Sequence, residues 1–151
     1  IWWDVRPNWN YPTLEFRISD VAATAEEAVL LAVVVRGLTH AALNAIDDGK
    51  RAPDLSNEIL RGQLWRAARD GFTGRCPRPS TGEPAPAQVV LGELLASLKP
   101  ILRETGDFDF ADEGFARLRS NGGGADRQRA IFQRANQPAD VVDAFAIRHT
   151  E

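Results

Sequence analysis

The chain has few of the residues that build disulfides or zinc sites: one cysteine, two histidines and no methionine among 151 residues. Cys76 alone cannot form an intrachain disulfide, and one cysteine with two histidines is too few for an ordinary zinc site. The longest apolar run, 28–35, is far shorter than the roughly 20 residues that cross a bilayer. We therefore predict a cytoplasmic protein without a membrane partner.

Positive charge is also scarce. The net charge is −3, and 16 of the 18 basic residues are arginine. An acidic balance gives no general reason to expect nucleic acid as a partner. The absence of methionine extends to position 1, where the chain opens at Ile1 inside a strand pattern. We expect from this start that the chain is the C-terminal part of a longer protein, whose N-terminal half or a complementary chain is its partner.

Two strands are predicted at 1–6 and 13–20, joined by a loop at 7–12 with proline at both ends. Side chains two apart on a strand point to the same face. Asp4 and Arg6 therefore share one face of the first strand, and Glu15 and Arg17 share one face of the second. If the strands pair as a hairpin, we expect these four side chains to converge on one surface.

The chemistry of Glu15 and Arg17 has two interpretations. A carboxylate beside a guanidinium on an exposed strand is most simply a surface ion pair, which contributes about 0–1 kcal/mol. The same two groups also suit a site for Mg²⁺ and phosphate, because arginine binds phosphate oxygens with two hydrogen bonds and glutamate ligates hard cations. Spacing alone leaves both interpretations open.

The sequence pattern predicts that the rest of the chain is mainly helical. Thr24 and Glu27 form a capping-box pattern before a strongly apolar helix that Gly49 would end, and we expect most of its circumference to be buried behind the strands. Pro100 is expected to kink or interrupt a later helix, and the triple glycine at 122–124 to link two helices flexibly. The predicted helices span 24–48, 57–69, 87–104, 111–120, 125–135 and 139–148, and a proline-rich turn or two-stranded excursion occupies 76–86.

The predicted fold class is α+β, with one hairpin at 1–20 and a mainly helical body at 22–151 in a single domain. Four ordered motifs carry a resemblance to a known family. They are Trp3-Asp4-x-Arg6-Pro7 with Thr13-x-Glu15-x-Arg17-x-x-Asp20, then Trp65-Arg66-Ala67-Ala68-Arg69-Asp70-Gly71, then Pro79-x-Thr81-Gly82-Glu83, and finally Gly124-Ala125-Asp126-Arg127-Gln128-Arg129. In this order they resemble the type 2 glutamate–cysteine ligases, or carboxylate–amine ligases.

The resemblance implies an ATP-dependent ligase with a glutamine-synthetase-like catalytic sheet, to which the hairpin contributes one part. ATP and Mg²⁺ would be the cofactors, and glutamate and cysteine the carboxylate and amine substrates. By resemblance Glu15 would ligate Mg²⁺ and Arg17 would hold the transferred phosphoryl group. Arg6 would bind phosphate or a substrate carboxylate, with Asp4 orienting it. The reaction would form an amide through an acyl phosphate.

The chain also departs from the family pattern. Pro12 stands where the family usually has glycine, and Gln63-Leu64 replaces an Asn-Arg pair, which removes one positive charge. Because other metal ligands would lie in the missing half, the chain alone is expected to be inactive. A non-catalytic subunit or interaction module with the same fold is the alternative, and a homo-oligomer is compatible with the sequence. Arg127 and Arg129 would either cap a ligand or hold the C-terminal helices.

Overall fold

The computed structural model describes residues 4–79 and 81–146. Two short antiparallel hairpins and six α-helices make up these residues, which confirms the predicted α+β class with a mainly helical body. The elements, in chain order, are β1 (Val5–Pro7), β2 (Leu14–Phe16), α1 (Ala25–Asp47), α2 (Asn57–Asp70), β3 (Arg75–Pro77), β4 (Pro84–Pro86), α3 (Ala87–Glu104), α4 (Phe108–Asn121), α5 (Gly124–Ala135) and α6 (Pro138–Phe145).

The first hairpin has the predicted pairing but shorter strands. Arg6 lies opposite Glu15 in the β1–β2 register, and the backbone N–H of Asn8 closes the loop by donating to the Thr13 carbonyl at 2.9 Å. The loop thus forms with Pro12 in place of glycine. Proline at either end of the loop removes backbone donors, which limits the ladder. The part of the predicted first strand at 1–3 lies outside the described residues.

Helix α1 begins and ends where its sequence signals predict. The Thr24 hydroxyl accepts a hydrogen bond from the backbone N–H of Glu27 at 3.2 Å. The Glu27 carboxylate reaches back and accepts from the backbone N–H of Ala23 at 3.1 Å, one residue before the cap. At the other end Gly49 has φ +69°, a left-handed conformation that glycine adopts without strain.

The core lies between α1, α3 and α4. Its helices approach closely because glycines face side chains at two crossings: a Cβ atom at Gly114 would come within 2.9 Å of Leu30, and one at Gly37 would meet Leu98 at 3.5 Å. Burying such apolar side chains is the main stabilising contribution of a core this size. The buried members are Leu30, Val33, Leu95, Leu98, Leu102, Ala111 and Phe115.

The expectation that most of α1 is buried behind the strands is wrong for this chain. The helix buries one face, carrying Leu30, Val33 and Gly37, against α3 and α4. Its opposite face is apolar but open, as Leu43 at 54% and Ile46 at 67% exposure show. By length and composition alone α1 is apolar enough to cross a membrane, a test that the core helix of a soluble protein also passes.

Helix α2 and the second hairpin follow the predicted order. Ser56 caps α2, and the chain leaves the helix at Gly71. The predicted apolar stripe of α2 is largely open in this chain, with Ile59 and Leu64 more than two-fifths exposed. The proline-rich segment forms β3 and β4, which confirms the two-stranded excursion, and Gly82 takes φ +72° in its turn.

Helix α3 has the predicted bounds, and the last three helices confirm the predicted segments with shifted bounds. Helix α3 continues through Pro100, so an interruption there was wrong. Proline costs a helix one backbone hydrogen bond, and the buried leucines on both sides, Leu98 and Leu102, hold the helix against the core. Helix α4 begins earlier than predicted, at Phe108, which packs against the core. Pro138 opens α6, and the predicted extension to 147–148 lies outside the described residues.

Candidate functional site

The carboxylate of Glu15 lies between two guanidinium groups on the first hairpin. Arg6 Nε donates to one carboxylate oxygen at 2.7 Å, and Arg17 Nε donates to the other. Arg6 reaches Glu15 because the two residues are opposite in the register, and Arg17 reaches it from the position directly after β2. The predicted convergence of four side chains is therefore confirmed for three of them. We call Arg6, Glu15 and Arg17 the hairpin cluster.

Asp4 contributes a backbone contact to the hairpin. Its backbone carbonyl accepts a hydrogen bond from the backbone N–H of Arg17 at 2.7 Å, which extends the hairpin by one bond. The residue itself is exposed. The group that orients the Arg6 guanidinium is Glu15, so the observed partner of Arg6 comes from the neighbouring strand.

The hairpin cluster is electrostatically self-compensated and open to solvent. The hydrogen bond from Arg6, followed by that from Arg17, lowers the pKa of Glu15 below its ordinary value, because both favour the charged carboxylate. The side chains are 41% (Arg6), 35% (Glu15) and 38% (Arg17) exposed. An anion approaching this face would meet two guanidinium groups whose orientation is already fixed.

The residues present fit an anion better than they fit a metal ion. Mg²⁺ is usually held by one or two carboxylates together with phosphate oxygens and waters. Glu15 supplies one carboxylate, and both of its oxygens are already paired with arginine. Across 4–79 and 81–146 no group of three or more histidine, cysteine, aspartate or glutamate residues could hold a metal ion. Further ligands for a cation would have to come from outside these residues.

A second region unites motifs that are far apart in the sequence. A cavity of about 430 Å³ lies between the end of the first hairpin, the end of α2 and the start of α5. We call it the motif cavity, because three of the four family motifs supply its walls. Its lining includes Asp20, Leu64, Arg69, Phe72, Gly123, Asp126 and Arg129. Nothing in the spacing of the motifs predicted this meeting, since it depends on how three elements pack.

The triple glycine is a packed junction beside the motif cavity rather than a simple flexible link. Gly122 has φ +72°, and Gly124 is already the first residue of α5. A Cβ atom at Gly123 would come within 3.1 Å of the Phe72 ring, and one at Gly124 within 3.1 Å of Ala23. A side chain at either glycine would force its neighbour to shift by a few tenths of an ångström, which gives the glycines a steric role.

The charged side chains of the motif cavity that form pairs include Arg69, Asp126 and Arg129. Arg69 Nε donates to the adjacent Asp70, outside the lining, at 2.6 Å, and this hydrogen bond lowers the pKa of Asp70. Arg129 donates to Asp126 at 2.6 Å, while the other oxygen of Asp126 accepts from the backbone N–H of Gly123 at 3.1 Å. Asp126 therefore caps the start of α5, which agrees with its predicted place at a helix N-terminus.

Arg127 holds the C-terminal helices, one of its two predicted roles. Its guanidinium donates to Glu27 at 2.5 Å across 100 residues of sequence, with side chains only 27% (Arg127) and 20% (Glu27) exposed. Arg127 thereby ties α5 to the start of α1. The sequence marked Glu27 only as part of a capping box, and its second partner was not predicted because contacts at this separation leave no local pattern.

Both regions lie within a match to a known protein family. The family model described as glutamate–cysteine ligase family 2 matches residues 1–144, which include the hairpin cluster and the motif cavity. The chain belongs to glutamate–cysteine ligase family 2. The predicted resemblance is confirmed by this match and by the relatives.

Three relatives illustrate the similarity within the family. "Putative glutamate--cysteine ligase 2-1" of Rhodococcus jostii is 46% identical over 143 residues, which are 95% of this chain and 38% of the relative. "Putative glutamate--cysteine ligase 2-2" of Mycobacterium sp. (strain KMS) is 42% identical over 97% of this chain and 40% of its own length. A Nocardia farcinica protein named "Putative glutamate--cysteine ligase 2-1" is 42% identical over 94% of this chain. The chain thus spans about 40% of the length of these curated relatives.

Proposed function

We propose that this chain is part of an ATP-dependent carboxylate–amine ligase that joins glutamate to cysteine. Family membership supports the reaction class, and the relatives' printed names supply the two substrates. One observation assigns the proposal to particular residues. The Glu15 carboxylate lies between two guanidinium groups on an open face of the hairpin. The chain covers about 40% of each relative, which is consistent with the proposal that it is part of a longer protein.

The proposed reaction has two steps. A carboxylate oxygen of the first substrate attacks the γ-phosphorus of ATP, and the bond to the bridging oxygen breaks to release ADP. The amine of the second substrate then attacks the acyl carbon, phosphate leaves with the electrons of the acyl–oxygen bond, and the amine loses a proton. Both steps increase the negative charge on phosphate oxygens. Fixed positive groups and accurate positioning of the reactants therefore contribute most to catalysis.

The hairpin cluster supplies such groups. In the proposal Arg17 and Arg6 bind phosphoryl or carboxylate oxygens, which arginine does with two parallel hydrogen bonds. Glu15 keeps both guanidinium groups oriented before the anion arrives. Mg²⁺, when bound, would neutralise charge on the phosphates. Glu15 would become its ligand from this chain by giving up an arginine hydrogen bond, with the remaining ligands drawn from elsewhere.

A glutamine-synthetase-like catalytic sheet is part of the same proposal. Strands β1 and β2 have three residues each, too few to form a stable sheet without partners. In the complete protein we expect further strands beside this hairpin, with the cluster on the face that binds ATP. A cytoplasmic location, where ATP is available, fits the same chemistry and rests on it.

One observation favours the alternative, a non-catalytic module with the ligase fold. Leu64, which stands where the family motif has arginine, lies in the lining of the motif cavity. The substitution therefore removes a positive charge from the place where three motifs meet. If that charge binds substrate in active members, this chain has lost part of a site while retaining the fold.

The test is ADP formation by the complete protein with ATP, Mg²⁺, glutamate and cysteine. We expect turnover only when both the carboxylate and the amine are present, and loss of turnover in Glu15→Gln. Glu113→Gln is the matched control, since Glu113 also pairs with an arginine but lies on α4, away from the hairpin. No turnover by the unaltered complete protein would favour the module. Full turnover by Glu15→Gln would overturn the assignment of the hairpin cluster.

A further inference from the structure

Helix α1 is apolar on the side that faces away from the core. Its buried residues occupy one face, whereas six apolar residues spread over about half of its circumference at 100° per residue point outward. They are Val29, Ala32, Leu38, Ala42, Leu43 and Ile46, and we call them the outer face of α1. A helix that is apolar all round is normally buried on all sides, inside a large protein or a membrane.

Two polar side chains in the middle of this side of α1, Thr39 and Arg36, have partners within the chain. The Thr39 hydroxyl donates to the Val35 carbonyl at 2.8 Å, one turn back in the same helix. Arg36 pairs with Asp107, which also accepts a hydrogen bond from the Thr105 hydroxyl at 2.5 Å. Covering the middle of the outer face therefore leaves these two groups with hydrogen bonds, which avoids the usual cost of burying a polar surface. His40 and Asp47 lie exposed at the edge of this face.

We propose that the outer face of α1 is the docking surface for the part of the complete protein that this chain does not contain. The matched relatives carry about 60% of their length outside the match, since the match takes 40%. A segment of that size is large enough to form a second layer. It would place α1 between α3 and α4 on one side and the remaining part of the same protein on the other.

The structure favours this occupant over a membrane. Leu30 and Val33 on the inner face are buried against α3 and α4, so a transmembrane position for α1 would require those contacts to be lost. The Arg36–Asp107 ion pair also lies near the middle of the helix, at the depth where a bilayer is least tolerant of charge. The inference is independent of the proposed reaction, because it depends on packing rather than on the hairpin cluster.

The test is thiol labelling of the complete protein with a small maleimide. In a Cys76→Ala background, Ile46→Cys and Ala42→Cys report on the outer face, and Glu113→Cys, whose parent side chain is 74% exposed, is the control. We expect labelling at 46 and 42 to be about tenfold or more slower than in urea, and labelling at 113 to be little changed. Ala42→Cys changes side-chain volume least, so it remains informative if Ile46→Cys does not fold.

Two further conditions identify the occupant. Protection that persists on dilution, without lipid or detergent, supports a segment of the same polypeptide. Protection that disappears on dilution would show that a second copy covers the face, and protection that appears only with phosphatidylcholine vesicles would show that a membrane does. Either result, or labelling at 46 and 42 as fast as at 113, would overturn the proposal.

Discussion

Glutamate and arginine form ion pairs both in the first hairpin and in the helical body, but the two sets of pairs differ in exposure and in role. In the hairpin, Glu15 of β2 is paired with Arg6 of β1 and with Arg17, the residue that follows β2, and all three side chains are more than a third exposed. In the body, Glu27 and Arg127 are paired across 100 residues with little more than a quarter of either side chain exposed. Exposed ion pairs contribute little to stability, whereas partly buried ones bind elements together.

This difference indicates where each region acts. The hairpin cluster arranges charge at a surface where a ligand can reach it, and losing it should cost the fold little. The pair in the body joins the start of α1 to α5 and should matter for stability. The four predictions below separate these two roles.

The largest expected effect is in the core. Leu102 is 1% exposed between helices, and Leu102→Ala should lower the free energy of unfolding by about 2–5 kcal/mol, because it leaves a cavity that cannot fill. Leu14→Ala on the hairpin, 49% exposed, should cost less than about 1 kcal/mol by the same principle of lost burial. Urea unfolding of the chain measures both. Equal losses would mean that the hairpin is as much a part of the core as α3.

The next effect is on turnover of the complete protein. Arg17→Gln should reduce the rate of ADP formation by about 10²–10³-fold, as expected when a fixed donor to a developing oxyanion is removed. Arg17→Lys should recover little, since lysine cannot make two parallel bonds. Arg117→Gln on α4, another exposed and paired arginine, is the control and should keep its rate. A similar loss in both variants would remove the distinction.

A smaller effect separates the two glutamates by stability. Glu27→Gln should lower the free energy of unfolding by about 1–3 kcal/mol, because Arg127 is left partly buried without its ion-pair partner. Glu15→Gln should change it by no more than about 0.5 kcal/mol, the range for surface substitutions. Thermal and urea denaturation of the two variants provide the comparison. The reverse order would assign the structural role to the hairpin.

The smallest effect concerns pH. The pKa of Glu15 is lowered in the folded chain, so the pairing is present above the ordinary carboxyl pKa and is lost as the pH falls through the lowered value. Arg6 is the larger cause, so Arg6→Gln should raise the pKa of Glu15 further towards its ordinary value than Arg17→Gln does. A carbon-13 NMR titration of the Glu15 carboxyl measures this. An equal shift in both variants would contradict the order of causes.

Local signals in the sequence predicted most of the elements. The Thr24 cap, Gly49, Gly71 and Pro138 fixed helix ends because each acts within a turn of the residue itself. The pairing of Arg6 with Glu15 followed from strand periodicity. Pro100 does not interrupt α3, one of its two predicted effects, since tertiary packing of the leucines around it outweighed a local preference.

The motif cavity and the open face of α1 could not be predicted in this way. Asp20, Arg69 and Asp126 line one cavity because the fold brings three distant segments of the chain to it, and no local periodicity in the sequence indicates that arrangement. The burial of α1 was overestimated because an apolar pattern shows that a face requires a partner but does not show whether the chain supplies one. The identity of the family, by contrast, depends on ordered motifs, which a sequence retains in full.

Glu27 at the start of α1 is synthesised 100 residues before its ion-pair partner Arg127. Helix α1 leaves the ribosome long before Arg127 exists, and its core partners α3 and α4 also come later. At about 5–20 residues per second the chain needs several seconds to supply them. Throughout that interval the inner face of α1 has no partner, so the nascent protein is most exposed to aggregation, and most in need of a chaperone, before α3 and α4 are made.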